Sequence, residues 1–139
     1  MTRALAAGAL ALLACWGLAA ADADKREEVA QAAAEAWLKK VDAGEYGASW
    51  EETARLFRGA VTKEQWEQAM GASRAPLGKV VSRKLKSRKF SKTLPGAPDG
   101  QYVVIEYDSH FDKKAVAVET ITPMRDPDGE WRVAGYFIR

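Results

Sequence analysis

"VVIEYDSHFDKKAVAVE", Val103 to Glu119, is the stretch whose reading decides the fold. Apolar and polar residues alternate on both sides of Asp112-Lys113, which marks two half-buried strands joined by a tight turn. Val103, Ile105, Tyr107 and Phe111 share one face of the first strand; Glu106, Asp108 and His110 share the other. In the second strand Val116, Val118, Thr120 and Met124 fall on one face, and Ala115, Ala117, Glu119 and Ile121 on the other. Burying the two apolar sets together predicts Tyr107 opposite Val118 and Glu106 opposite Glu119, or Asp108 opposite Glu119 after a two-residue slip. A one-residue slip would bury a charge and expose valines, so the pattern argues against it.

That register gathers Glu106, Asp108, Glu119 and His110 on one surface, with Tyr136 of the last strand beside Glu119. Paired carboxylates raise each other's pKa, and a tyrosine hydroxyl donates to a developing oxyanion, so this set is a candidate for acid–base catalysis. An antiparallel sheet with one solvated face produces the same alternation without chemistry. The second reading places Glu106 and Glu119 away from the helices.

Outward from the hairpin, a basic strand is expected over Lys79 to about Phe90, and a fourth strand over Glu130 to Ile138 after the turn Asp126–Gly129. The middle two strands cover Gln101–Phe111 and Ala115–Met124. Upstream the apolar period changes to three and four. Asp24 with Glu27 reads as a capping pair for a helix carrying Val29, Ala33, Ala36, Trp37 and Val41, stopped by Gly44. A second helix carries Tyr46, Trp50, Ala54 and Phe57 up to Gly59. A third opens at Thr62 with Gln65 and buries Trp66, Ala69 and Met70. Three helices followed by four strands predict an α+β domain, with the helices on one face of a curved antiparallel sheet.

Residues 1–23 have the layout of a cleaved secretory signal: Arg3, an apolar run from Ala4 to about Ala21, then Ala19-Ala20-Ala21 and Ala21-Asp22-Ala23. An uncleaved membrane span is the alternative for that run. Leu12-Leu13-Ala14-Cys15 resembles a lipobox, which would instead place a lipid on Cys15. The expected localisation is therefore periplasmic or secreted, or anchored at Cys15. Residues 24–139 are enough for one domain. Removing 1–23 takes away Arg3 and Asp22, so the formal net charge of +2 is unchanged, and takes away the one cysteine. A thiol nucleophile and a Cys-ligated zinc site are excluded, and one histidine excludes His-rich metal sites. No phosphate loop, nucleophile elbow or metal motif is present, so neither a cofactor nor a metal is expected.

The phrases "AEAWLKKVDAGEYGASWEE" (34–52), "RAPLGKVVSRKLKS" (74–87), "LPGAPDGQYVVIEYD" (94–108) and "DGEWRVAGYFIR" (128–139) resemble a bacterial secreted family known as domain of unknown function 4019. That resemblance implies no catalytic residues. The phrase of the first helix, Asp-Ala-Gly-x-Tyr followed by Trp, also resembles the cone-shaped nuclear-transport-factor-2-like (cystatin-like) fold. Its members include ketosteroid isomerase, dehydratases and non-catalytic binding modules, so the fold by itself selects no function.

Other candidates carry a structural and a functional reading each. Trp37, Trp50, Trp66, Tyr107 and Phe137 are core residues or the lining of an apolar ligand pocket. Arg74 ties back to Asp42 or Glu45, or guards a pocket mouth for a carboxylate, and Arg83 is similar. The stripe Lys79, Arg83, Lys84, Lys86, Arg88, Lys89 and Lys92 is an edge strand protected by its charges, or a site for lipid or cell-wall anions. The expectation is a non-enzymatic module for a small apolar ligand or a protein partner, monomeric or dimeric through its sheet face, with no nucleic acid. The competing expectation is a cofactor-free isomerase, dehydratase or hydrolase built on Glu106, Glu119 and Tyr136 with Asp108 and His110.

Overall fold

A computed structural model describes residues 10–139, with side chains from residue 17. Arg3, the first part of the apolar run and the Cys15 side chain lie outside the described residues. The order is α1 (Leu10–Asp42), α2 (Tyr46–Glu51), α3 (Arg55–Ala60), α4 (Lys63–Ser73), a 3-10 turn (Ala75–Leu77), then β1 (Val80–Ser91), β2 (Tyr102–Phe111), β3 (Lys114–Arg125) and β4 (Trp131–Ile138). The strands form one antiparallel sheet in the order β1-β2-β3-β4, and the helices pack on one face, the expected α+β arrangement. Among the described residues no helix is long and apolar enough to cross a membrane.

Local signals explain most boundaries. Gly44, at φ 76°, ends α1 in the left-handed region that a side chain would resist. The Thr62 hydroxyl accepts from the Gln65 N–H at 3.2 Å while the Gln65 side chain accepts from the Thr62 N–H at 2.9 Å, closing the predicted capping box of α4. The expected second helix is two helices. Thr53 bridges to Val133 and the Ala54 N–H donates to the Val133 carbonyl at 2.8 Å, so the backbone leaves the helix there to cover the edge of β4. Nor do Asp24 and Glu27 cap α1, which already runs through them. Both pair with Arg88 instead, and Glu27 also accepts the Phe90 N–H at 2.9 Å.

The register is the main departure from expectation. Phe111 does face Lys114 across the predicted turn, but two residues of β3, Ala115 and Val116, then stand opposite His110 alone. Beyond this β-bulge Tyr107 faces Glu119, Glu106 faces Thr120 and Asp108 faces Val118, which is the one-residue slip. Ala117, Glu119 and Ile121 therefore point at the helices, while Val116 is 84% exposed. A second bulge at Ala134 shifts β4, so Val133 and Tyr136 both face inward and Phe137 turns outward, 54% exposed. Phe137 is thus not part of the core. Pro123, inside β3, sits at this irregularity, where its missing N–H is tolerated.

The core joins Ala30, Ala34, Trp37, Leu38 and Val41 of α1, Trp66 and Met70 of α4, and Val103, Ile105, Tyr107, Ile121, Val133 and Tyr136 of the sheet. Trp37 lies 5.9 Å from Trp66 and 5.4 Å from Tyr136, between ring centres. Ser49 holds both indoles: its carbonyl accepts from Trp37 Nε1 at 2.8 Å and its hydroxyl from Trp66 Nε1 at 2.9 Å.

Candidate functional site

The C-terminal end of α1, the exit of α4 and strands β1 to β4 bring Asp42, Arg74, Arg83, Ser109, Glu119 and Tyr136 together beneath the helices. Glu119 is fully buried. Arg83 grips it in a two-point contact, Nε to Oε1 at 2.6 Å and Nη2 to Oε2 at 3.1 Å. The Ser109 hydroxyl donates to Oε1 and the Tyr136 hydroxyl to Oε2, each at 2.5 Å. On its other side Arg83 grips Asp42 with Nη1 at 2.9 Å and Nη2 at 3.0 Å. Arg74 completes the cluster: it donates to Asp42 at 3.3 Å and to the Gly78 carbonyl at 2.5 Å, and its guanidinium lies 4.5 Å from the centre of the Phe111 ring. Two guanidinium groups thus balance two carboxylates, with Glu119 and Arg74 buried and Arg83 and Asp42 partly exposed.

The electrostatics follow from that pairing. Burial works against the charged Arg83 guanidinium, but hydrogen bonds to Asp42 and Glu119 outweigh it and raise its pKa above the ordinary arginine value. Burial, then the Glu119 charge and the bond to it, push the Tyr136 hydroxyl well above an ordinary tyrosine. Burial, then the Glu35 charge and the bond at 3.1 Å, do the same to Tyr107. An unfolded tyrosine ionises near pH 10, whereas these two keep their protons in the fold at that pH. The contribution is therefore fully present below about pH 10 and lost as pH rises beyond it. Urea unfolding at several alkaline pH values should show a loss of about 1.4 kcal/mol per pH unit for each of the two tyrosines. Tyr136→Phe should remove one share of that slope, and an unchanged slope would refute the assignment.

The acid–base set proposed from sequence is divided by the sheet. Glu119 and Tyr136 are inside and hydrogen-bonded to each other, although Ile138 and not Tyr136 stands opposite Glu119, and the expectation that Glu119 points away from the helices is overturned. The bulge beside His110 inverts β3, and Arg83 makes a buried carboxylate tolerable. Glu106, Asp108 and His110 lie on the opposite face. Glu106 meets Lys86 at 3.9 Å and Arg139 at 3.4 Å; Asp108 lies opposite Lys84. These are the cross-strand neutralising pairs expected of a protected edge strand. Asp108, His110, Ser82 and Val116 border a shallow open groove of about 340 Å³ on that outer face.

Of the aromatic candidates, Trp37, Trp66 and Tyr107 are buried in the core. Trp50 is half-buried and donates to the Val61 carbonyl at 2.8 Å. Arg74 makes the tie to Asp42. Ser109 and Asp42 complete the inner cluster. Asp42 was named only as a tie for arginine and Ser109 not at all, because a lone serine in an alternating strand reads as either face. Among the described residues no group of three or more His, Cys, Asp or Glu side chains is placed to hold a metal ion.

No curated protein and no solved structure matches the chain. The family model described as "Protein of unknown function (DUF4019)" matches residues 33–136, a span that includes Asp42, Arg74, Arg83, Glu119 and Tyr136. By that match over most of its length, the chain belongs to the DUF4019 family.

Proposed function

We propose that the protein is an exported, non-enzymatic domain that binds a protein partner through the outer face of its sheet. One observation carries this reading: the carboxylate and hydroxyl best suited to acid–base work, Glu119 and Tyr136, are bonded to Arg83, Ser109 and each other, and neither lines a described groove; of the cluster only Ser109 borders one. A general base needs a free lone pair within reach of substrate, and Glu119 is wholly buried with both oxygens already accepting. The helix–sheet space that would house an apolar ligand is occupied by Trp37, Trp66, Tyr107 and Tyr136. The cone-shaped, nuclear-transport-factor-2-like architecture remains our reading of the curved sheet and its helices, here with the interior of the cone filled.

The outer face has the opposite character. Val81, Val116 and Phe137 are 57%, 84% and 54% exposed, among the charged Lys84, Asp108 and Arg139. Apolar centres with a polar rim suit a protein surface better than a small ligand. A photo-crosslinking residue placed at Val116 or at Phe137 in exporting cells is expected to give one shared adduct. The same probe at Glu64, exposed on α4, should give none, and Val116→Lys should abolish the Phe137 adduct. An adduct of twice the chain mass would identify the partner as a second copy. Absence of outer-face adducts, or thermal stabilisation of the unmodified protein by apolar small molecules, would overturn the proposal.

A further inference from the structure

The folded domain has a sharp beginning inside α1. Gly17 to Asp22 are all exposed, Leu18 at 68%. Among the described residues the first ion pair belongs to Asp24, whose carboxylate meets Arg88 at 2.8 Å. Glu27 and Glu28 then meet the same guanidinium at 3.6 and 3.9 Å, Arg26 lies over the Phe90 ring, and Ala30 is fully buried. From Asp24 to Glu28 the helix is tied to β1 through Arg88 and Phe90.

The charge pattern along α1 has the same origin. Measured from Leu10, the helix has no acid in its first turn, although Lys39 and Lys40 occupy its last. Measured from Asp24, its positive end carries three acids, Asp24, Glu27 and Glu28, against two bases, Lys25 and Arg26, a net charge of the sign the macrodipole favours. Among the described side chains upstream, Gly17 to Asp22 are exposed and Ala23 is half-buried, so packing adds little to this part of the helix. Immediately before Asp24 stand Ala21-Asp22-Ala23, with small residues at the two positions a leader peptidase reads.

From this geometry, and resting on the export reading above, we infer that the Ala23–Asp24 bond is a processing site and that the mature chain begins at Asp24. A leader peptidase of the cell envelope catalyses the step. Water supplies a hydroxyl to the Ala23 carbonyl carbon and a proton to the Asp24 nitrogen as the amide bond breaks. Cutting two residues earlier would leave Asp22 and Ala23 as an overhang; Asp22 makes no ion pair among the described residues. The cut has a second consequence. Asp22 is the only acidic residue lining an open groove of about 430 Å³ that also contains Lys25, Arg26 and Arg125. Its removal leaves Lys25, Arg26 and Arg125 as the charged side chains of that groove, beside Val29, Gln101 and Trp131.

The test is the intact mass of the full-length gene product recovered from the envelope fraction. A single species beginning at Asp24 is expected, and Ala23→Leu, which blocks the position before the cut, should eliminate it. A wild-type species beginning at Asp22, or one beginning at a lipid-modified Cys15, overturns the inference while leaving export intact. A chain retaining Met1 in the cytoplasm overturns the export reading itself.

Discussion

Arg83→Ala is expected to destabilise the protein by about 3–5 kcal/mol, the cost of leaving a buried carboxylate without its partner. Glu119 would keep only the Ser109 and Tyr136 hydroxyls, and Asp42 only Arg74. Against a total stability of roughly 5–15 kcal/mol, that loss leaves a marginal fold. Glu119→Leu alone should also be costly, because it leaves the Arg83 guanidinium with Asp42 as its one carboxylate and removes the acceptor of both hydroxyls. The informative variant is the double substitution Arg83→Met with Glu119→Leu. With both charges gone no unpaired carboxylate is left at position 119 and Asp42 keeps Arg74, so the double variant should be more stable than Arg83→Ala. Urea midpoints at constant m-value measure all three. If Arg83→Ala costs less than about 1 kcal/mol, as an exposed ion pair would, the cluster does not hold the fold together.

Trp37→Ala is the second large effect, about 3–5 kcal/mol, because the truncation removes a buried aromatic and leaves a void. The void would lie between Trp66 and Tyr136, and the Ser49 carbonyl would lose its indole donor. A dry apolar void of that size binds small aromatic molecules. Indole is therefore expected to raise the melting temperature of Trp37→Ala and to leave the parent protein unmoved. A parent protein stabilised equally by indole would mean that its interior is already open to ligands, which would revive the small-ligand function. The experiment thus bears on function as well as on packing.

Both predictions depend on side chains whose roles were unequally legible. Helix-to-sheet order, the capping box at Thr62 and the stop at Gly44 came directly from residue spacing, because each is a local preference between neighbours in the chain. The inward face of β2 came from the same alternation, and Val103, Ile105 and Tyr107 are buried as expected. The inward face of β3 did not. Alternation assigns Val116 and Val118 to the core, yet one extra residue opposite His110 inverts every position after it. The exchange of an exposed Val116 and a half-buried Val118 for a buried glutamate is unfavourable by hydropathy alone. It is tolerated because Arg83, Ser109 and Tyr136 converge on Glu119 from two other strands and from β2 itself.

The sequence by itself determined the α+β plan of helices before an antiparallel sheet, the stop at Gly44 and the capping box at Thr62, and it offered Arg74 a tie to Asp42 or Glu45. Those follow from composition and from interactions a few residues apart, or from a charge at a helix end seeking its opposite. Only the tertiary structure decided which carboxylate is buried, that Phe137 faces solvent, and that Glu119 and Glu106 lie on opposite sides of the sheet. A strand's facing depends on register, and register is set by bulges and by partners far away in sequence. Period-two alternation carries no information about either.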